Sequence, residues 1–317
     1  MKVIDAIKKS SSTLFTFELV PPLKGSSFAE IAETVERLMP YNPAYVNITN
    51  HRAEVVIWER PDGFFEKQVV KRRAGTVSIA AAIKYKYGVE VVPHLVCGGY
   101  SRSEVEDMLI DFSFLGIENV LALRGDPVQG EKHFVAEKNG YAHAIDLLQQ
   151  AVAMNHGRYL NPDLKNVTPT DFCFGVAGYP EKHSEAPNIE ADLQRLKEKV
   201  EAGAEYVVTQ MFFDNRKYFD FVGACRKSGI NVPIIPGLKP FSALRQLSVL
   251  PQIFHIDLPA ALVNEVKRCS NPQDVRKVGV AWCMEQCREL KEAGVPALHF
   301  YTMGKADNVE EIVRNIF

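Results

Sequence analysis

A glutamate, Glu18, interrupts the first apolar run of the chain, 14-LFTFELVPP-22, where a carboxylate needs a partner or a function. The neighbouring Phe15, Phe17 and two prolines predict that this side chain is partly desolvated. Desolvation raises the pKa of a carboxyl group and suits it to general acid catalysis near neutral pH. An ion pair with Lys24 or another cation is the alternative interpretation.

A histidine, His94, follows Pro93 near the end of a later apolar run. Imidazole can bind a metal ion, but no second histidine or carboxylate lies nearby at the spacing of metal ligands. The pattern favours a hydrogen-bonding role for His94, and we predict no metal site.

The run 124-RGDP-127 could bind a ligand at a tight turn. Gly125 would let the backbone approach the ligand closely, and the Arg124 guanidinium could hold phosphate through two hydrogen bonds. Asp126 could interact with a polar heterocycle or a cationic intermediate. A plain strand-to-loop turn would explain the same residues.

The segment 177–199 is rich in side chains that could contact a ligand. Tyr179 and His183 precede a helical pattern that carries Asp192 and Lys199, which are seven residues apart and therefore share a face. A clamp on an elongated ligand and a charged surface stripe explain this pattern about equally well.

Alternating strands and helices must position these residues. Eight apolar runs predict strands: 14–19, 45–50, 89–97, 119–125, 172–179, 206–213, 232–240 and 297–303. Amphipathic patterns such as 101–116 and 189–203 predict helices between them. Eight such units in 317 residues indicate an α/β fold, a (β/α)8 TIM barrel, as a single domain over 1–317. We expect extra helices in 250–296 before the last strand, and loops at 51–75 and 155–171.

Polar side chains collect at the carboxyl ends of the predicted strands, where barrel enzymes build their active sites. They are Glu18, Thr49, His94, Arg124, Asp126, Tyr179, Gln210 and Lys239, the last of which could equally be a solvated loop flank. Strand alternation directs Phe15 and Phe17 outward and Glu18 into the barrel mouth. In the fourth strand the same reasoning directs Leu121 and Leu123 outward, and Val120, Ala122, Arg124 and Asp126 inward.

The composition excludes several classes of protein. A net charge of −2 with scattered basic residues argues against a nucleic-acid partner. No run approaches 18 apolar residues, so we expect no membrane span, and the first ten residues lack the apolar core of a signal peptide. Six cysteines are too few for a disulfide scaffold, and this scarcity predicts a cytoplasmic protein. Cys283 and Cys287 are four residues apart on a helical pattern, which fits a packed helix face better than a metal site.

Taken together, the motifs resemble those of the methylenetetrahydrofolate reductase family across nearly the whole chain. In strand order they are FELVPP, NIT, PHLVC, LALRGDP, VAGYPEKH, TQMFFD, IIPGLKP and LHFYT. The resemblance implies FAD as cofactor and a ping-pong reduction of 5,10-methylenetetrahydrofolate to 5-methyltetrahydrofolate by NAD(P)H, in one-carbon and methionine metabolism. We expect a homo-oligomer, and the choice between NADH and NADPH stays open.

The resemblance also implies roles for individual residues. Glu18 matches the general acid, and Asp126 a carboxylate near the folate pterin. The positions that match cofactor-binding residues are Thr49, His94, Arg124, Gly125, Asp126, Ala144, Tyr179, His183, Ala186, Asp192 and Lys199. Gln210 and Gln246 match folate-contacting glutamines, and Lys305 stands where an arginine often meets the folate tail.

Three further positions depart from the family pattern: Asn50, Arg195 and Glu198, of which the last two put the details of the contact with the cofactor in doubt. Two other functions stay possible on the sequence. One is a cofactor-free barrel lyase or hydrolase that uses Glu18 and His94. The other is a non-catalytic flavin- or folate-binding subunit.

Overall fold

The computed structural model describes residues 1–128, 131 and 133–317. Its strands are β1 (Leu14–Leu19), β2 (Tyr45–Ile48), β3 (Glu54–Glu59), β4 (Phe65–Val70), β5 (Val91–Val96), β6 (Asn119–Leu123), β7 (Cys173–Gly178), β8 (Tyr206–Thr209), β9 (Ile234–Ile235), β10 (Gly237–Leu238) and β11 (Ala297–Tyr301). Its helices are α1 (Val3–Lys9), α2 (Ala29–Leu38), α3 (Thr76–Tyr87), α4 (Arg102–Phe114), α5 (Ala144–Asn155), α6 (Ile189–Glu201), α7 (Asn215–Lys227), α8 (Gln246–Phe254), α9 (Ala260–Arg268), α10 (Pro272–Glu292) and α11 (Asp307–Ile316).

Nine of the strands form one parallel sheet that closes into a barrel. The order of neighbours is β10, β11, β1, β2, β5, β6, β7, β8 and β9. The short strands β9 and β10 are two halves of the seventh barrel strand, separated by Pro236, which has no N–H to donate. Because β9 pairs with β8 and β10 pairs with β11, this broken strand closes the ring. The predicted TIM barrel is therefore confirmed.

The first strand shows how alternation divides the barrel. Phe15, Phe17 and Leu19 are buried in the layer between the sheet and the helices, as predicted. The opposite face of the sheet forms a smaller core inside the barrel, with Tyr45, Val92, Leu121, Tyr206 and Ile235 among its members. The amino-terminal helix α1 adds Val3 and Ile4 to this inner core. It thereby closes the end of the barrel opposite the carboxyl ends of the strands.

The predicted orientation of the fourth barrel strand, β6, is wrong. Val120 and Ala122 face the helices, whereas Leu121 packs in the inner core and Leu123 borders the mouth. This strand is apolar on both faces, as buried parallel strands are, so polarity does not distinguish inside from outside. Arg124 and Asp126 still reach the mouth, because they lie beyond the last strand residue.

The predicted loop at 51–75 is also wrong in part, since it contains the antiparallel hairpin of β3 and β4. The turn at 61-PDG-63 separates two runs rich in valine, isoleucine and aromatic residues, which is a recognisable hairpin signal. The hairpin forms a separate two-stranded sheet next to the barrel.

The remaining predictions about elements are confirmed. Three helices, α8, α9 and α10, lie between β10 and the last strand, and 155–171 holds no regular element beyond the end of α5. Cys283 and Cys287 are buried on α10. Among the described helices, none is both long and apolar enough to cross a membrane.

Candidate active site at the barrel mouth

A cavity of about 1440 Å³ opens at the carboxyl ends of the barrel strands. Its lining contains twelve of the predicted site residues: Glu18, Thr49, His94, Arg124, Gly125, Asp126, Ala144, Tyr179, His183, Asp192, Lys199 and Gln210. Arg195 and Glu198, the two departures on α6, also line it. The structure therefore brings most of the candidates together around one space large enough for a cofactor and a substrate.

Three predicted residues and Lys239 lie outside this lining. Ala186 is buried, and its carbonyl accepts a hydrogen bond from Lys182, which does line the cavity. The Gln246 side chain accepts a bond from the Ser242 N–H at 2.8 Å, and Lys305 is exposed. Lys239 is 6% exposed, so it is not a solvated loop flank, and burial lowers its pKa to about 8.

Glu18 lies at the floor of the cavity with a side chain that is only 13% exposed. Desolvation raises its pKa to about 8, so the carboxyl group holds its proton at neutral pH. The Glu18 Oε2 to His94 Nε2 distance is 3.4 Å. In the described residues Glu18 forms no ion pair with Lys24 or with any other lysine or arginine, and its one basic neighbour is His94.

His94 does not form a true ion pair with Glu18. Desolvation is the main cause that lowers the pKa of His94 to about 3, and the positive charge that His299 and His51 can carry lowers it further. The ring is therefore neutral. A neutral imidazole beside a protonated carboxyl group is a contact between two uncharged polar groups. Asn47 Nδ2 lies 3.4 Å from the same Nε2 atom of His94. His94 on β5 thus contacts Glu18 on β1 and Asn47 on β2, so three neighbouring strands share one buried polar cluster.

Below Glu18 the barrel holds further buried polar groups. Thr16 Oγ1 lies 2.8 Å from His299 Nδ1, and burial lowers the pKa of His299 to about 3. Within the described structure, the Tyr45 and Tyr206 hydroxyls and His299 Nε2 have no hydrogen-bond partner. Buried polar groups of this kind are normally satisfied by ordered water.

Arg124 is held between an acid and an aromatic ring at the rim. Its two terminal nitrogens donate to the two carboxylate oxygens of Glu185, and its guanidinium lies 5.1 Å from the Phe134 ring centre. The hydrogen bonds from Arg124 hold the pKa of Glu185 below its usual value. The fork geometry that could bind a phosphate is thus present, with a carboxylate as its partner.

The loop after β7 and the helix α6 bring the predicted clamp residues together at the cavity. The Asp192 carboxylate accepts the His183 backbone N–H at 2.8 Å, and the Tyr179 and His183 rings meet edge to face at 4.7 Å. Lys199 donates to the Ala177 carbonyl at 2.9 Å, and desolvation lowers its pKa to about 8. All four predicted side chains border the cavity, so Asp192 and Lys199 are not a stripe on the outer surface, and their role as a clamp on a ligand stays a prediction.

This donor set fits an anionic, elongated cofactor. Arg124, Lys182 and Lys199 offer cationic donors along one wall, and Gly125 has a backbone φ of +84° that allows close approach. Asn50 Nδ2 is a buried donor without an acceptor in the described structure. By contrast, the described residues contain no cluster of three or more His, Cys, Asp or Glu side chains suited to a metal ion.

Several residues of the lining were not among the predicted site residues. Glu185 pairs with Arg124, Tyr301 donates to the Thr209 carbonyl at 2.6 Å, and His51 Nε2 lies 2.9 Å from Thr49 Oγ1. Tyr301 ends the last strand in 297-ALHFY-301, so its position at a strand end was a usable signal. Glu185 and His51 lie in loops, where no periodicity predicts orientation.

Comparisons with known proteins agree with the motifs. The family profile described as "Methylenetetrahydrofolate reductase" matches residues 2–317. The chain is 31% identical to "Methylenetetrahydrofolate reductase (NADH) 1" of Arabidopsis thaliana, over 100% of this chain and 51% of the relative. It is 32% identical to "5,10-methylenetetrahydrofolate reductase" of Pectobacterium carotovorum, over 92% of this chain and 86% of the relative. The chain thus spans about half the length of the plant relative.

A solved structure with similar architecture comes from Clostridium thermocellum. That protein is described as uncharacterized and as binding two copies of 5-methyl-5,6,7,8-tetrahydrofolic acid. It superposes with a TM-score of 0.60 at 16% identity, covering 98% of both chains. The structure of oxaloacetate acetylhydrolase superposes with a TM-score of 0.54 at 11% identity, covering 99% of this chain and 83% of the acetylhydrolase chain. At these identities the likeness concerns the fold alone.

Proposed function

Since this chain belongs to the methylenetetrahydrofolate reductase family, we propose that it reduces 5,10-methylenetetrahydrofolate to 5-methyltetrahydrofolate with NAD(P)H, using FAD as resident cofactor. The observation that carries this proposal is Glu18, a buried carboxyl group that keeps its proton up to a pH of about 8 at the floor of a large cavity. Opening of the methylene bridge of the folate needs such a proton donor.

The cofactor would be held mainly by the wall that Arg124, Lys182, His183 and Lys199 line. Arg124 and Lys199 supply charge for a pyrophosphate, and Gly125 leaves room for backbone contact. When bound, FAD supplies hydride transfer from the nicotinamide to the folate. The chain itself contributes orientation, charge and proton transfer.

Glu18 would donate its proton to a bridge nitrogen of the folate, which promotes ring opening. The neutral His94 at 3.4 Å cannot stabilise a Glu18 carboxylate through charge, so the apolar surroundings keep the carboxyl group protonated between turnovers. Asp126 borders the same cavity and would stabilise the cationic folate that forms after protonation. Gln210, also in the lining, would bind the folate.

The direct test follows the two half-reactions on the whole chain. The purified protein is loaded with FAD, and its visible flavin absorbance is recorded under anaerobic conditions with NADH and with NADPH in turn. We expect bleaching by at least one nucleotide, and recovery of the absorbance when methylenetetrahydrofolate is added. Comparison of the two nucleotides also decides the preferred donor.

Each failure has a distinct meaning. A chain that binds no FAD would overturn the cofactor assignment and favour a cofactor-free barrel enzyme. A flavoprotein that neither nucleotide bleaches would favour a non-catalytic binding subunit. Bleaching without recovery on folate addition would reject the substrate but keep the nucleotide.

A further inference from the structure

The hairpin of β3 and β4 exposes an unusual amount of apolar surface beside the barrel mouth. Ile57 is 68% exposed, Trp58 55%, Phe65 71% and Val69 72%. An isolated two-stranded hairpin is marginally stable in water, and apolar side chains grouped in this way usually mark an interaction site. The exposed apolar surface of the hairpin is therefore a candidate interaction site.

The two edges of the hairpin differ in how well they resist pairing. Strand β4 carries Glu66 and Lys67 in its middle, and a central lysine on an edge strand opposes pairing. Strand β3 has four consecutive apolar residues, from Val55 to Trp58, with no proline or lysine among them. In the described part of the chain this outer edge pairs with no other strand.

The hydrogen-bond pattern shows which backbone groups of β3 are available. The Arg60 N–H donates to the Phe64 carbonyl at 2.8 Å, and the register continues through the pair Trp58 and Glu66. Because the ladder alternates, Glu54, Val56 and Trp58 direct their backbone groups toward β4. Val55, Ile57 and Glu59 therefore direct theirs toward the open edge.

We propose that this edge pairs antiparallel with the β3 edge of a second copy of the chain, about a twofold axis through Ile57, to give a four-stranded sheet shared by a dimer. The two Ile57 residues would then exchange backbone hydrogen bonds. Val55 of each copy would do the same with Glu59 of the other. Val56 would lie opposite Trp58, an aromatic and β-branched pair of the kind that stabilises sheets.

Charge favours a second copy over another protein. In this register Glu54 of one copy lies opposite Arg60 of the other, since both are three residues from Ile57. Both side chains are exposed, and each already lies near an opposite charge: Glu54 beside Arg72 and Arg60 beside Asp62, both at 2.9 Å. The corresponding pairing of two β4 edges would place Lys67 against Lys67, which is unfavourable. The edge of β3 is thus complementary to itself.

Pairing of the two β3 edges would also affect the rim of the cavity. Glu54 and Val55 line the mouth at the base of the hairpin, so a sheet completed by the second copy would hold this part of the rim in place. The inference concerns assembly and does not depend on which reaction the chain catalyses.

The test measures the mass of the full-length chain in solution by sedimentation velocity over a range of concentrations. We expect a dimer for the unaltered chain and at least a tenfold weaker dimer for Ile57→Lys. Because Ile57 is largely exposed within one chain, the variant should unfold at an unchanged temperature when monomeric. Val69→Lys is the matched control, since Val69 is equally exposed but lies on β4, and it should stay dimeric.

Two further variants test the register. Glu54→Arg and Arg60→Glu should each weaken the dimer, and the double variant should restore it. Under oxidation, Ile57→Cys should form a disulfide-linked dimer, whereas Val69→Cys should not. A monomeric parent chain, or a dimer that Ile57→Lys leaves unchanged, would overturn the proposal; swapped charges that fail to restore the dimer would overturn the register.

Discussion

At the scale of single residues, the protonation state of Glu18 determines how the proposed reaction depends on pH. Burial raises its pKa to about 8, so the acid form is present below that pH and is lost above it. We expect the rate of folate reduction by the reduced enzyme to fall as pH rises through about 8. Rapid-mixing measurements of flavin reoxidation from pH 6 to 9.5 would reveal this.

Replacement of the same carboxyl group separates proton donation from cofactor binding. Glu18→Gln should lower the rate of the folate half-reaction by about 10²- to 10⁴-fold, the usual contribution of a general acid. Flavin binding and reduction by NAD(P)H should stay close to those of the parent chain. Unimpaired folate reduction in this variant would remove Glu18 from its proposed role.

Asp126 has a different expected signature, because it would act through charge rather than proton transfer. Asp126→Asn should slow the folate half-reaction more than it weakens FAD binding. The two effects can be compared by titrating FAD into the apoprotein and by single-turnover reoxidation. A variant that loses FAD but reacts normally once saturated would show that Asp126 serves the cofactor only.

Glu185 should compete with the cofactor for Arg124. The paired carboxylate occupies both terminal nitrogens of the guanidinium, and Glu185 is 37% exposed, so the pair contributes only about 1 kcal/mol. Glu185→Gln should therefore tighten FAD binding by about fivefold, as measured by quenching of flavin fluorescence. Glu198→Gln removes the same charge from the same cavity without touching Arg124, so it measures the general effect of lost negative charge and should tighten binding less than Glu185→Gln does. Weaker binding after Glu185→Gln would instead mean that Glu185 helps to hold the cofactor.

At the scale of elements, close packing of α10 against the chain after β10 supports the mouth. A Cβ atom on Gly279 of α10 would overlap the Phe241 carbonyl oxygen, so a side chain there forces the two segments apart. Gly279→Ala should lower the free energy of unfolding by about 1–3 kcal/mol, as overpacking does. A Cβ atom on Gly223 of α7 would meet no other atom within 4 Å, so Gly223→Ala should raise stability by about 0.5–1 kcal/mol through helix propensity. Chemical denaturation of both variants checks the contrast.

The elements also show what the sequence could predict. The eight barrel strands and the residues at their carboxyl ends followed from alternation and from turn residues, because each strand packs one face against helices. The inward phase of β6 did not follow, since Val120 and Leu121 are equally apolar. The pairing of Arg124 with Glu185 joins residues that are far apart in the chain and lie in loops, and local patterns carry no information about such contacts.

At the scale of the whole molecule, three buried groups inside the barrel give stability opposing dependences on pH. His94 and His299 have folded-state pKa values of about 3, below the ordinary value of 6.5, so their contribution is present above pH 6.5 and is lost as pH falls toward 3. Glu18 has a raised pKa, so its contribution is present below pH 4.5 and is lost as pH rises toward 8. The opposing trends place the highest stability from these groups near pH 6.5.

The slopes follow from proton linkage, with about 1.4 kcal/mol per pH unit for each group that differs between the folded and unfolded states. Between pH 4.5 and 6.5 the two histidines outweigh Glu18 by one proton, so these three groups together lower the free energy of unfolding by up to about 1.4 kcal/mol per unit of acidification. Glu181, whose pKa burial raises to about 7, adds an opposing slope of up to the same size in this range. Relative to the parent chain, His299→Gln should make this slope less positive by about one proton, whereas Glu18→Gln should make it more positive by one proton and weaken the decline between pH 6.5 and 8. Urea denaturation at half-unit intervals from pH 4.5 to 8 measures both slopes, and parallel curves for the three proteins would contradict the assignment of buried neutral side chains.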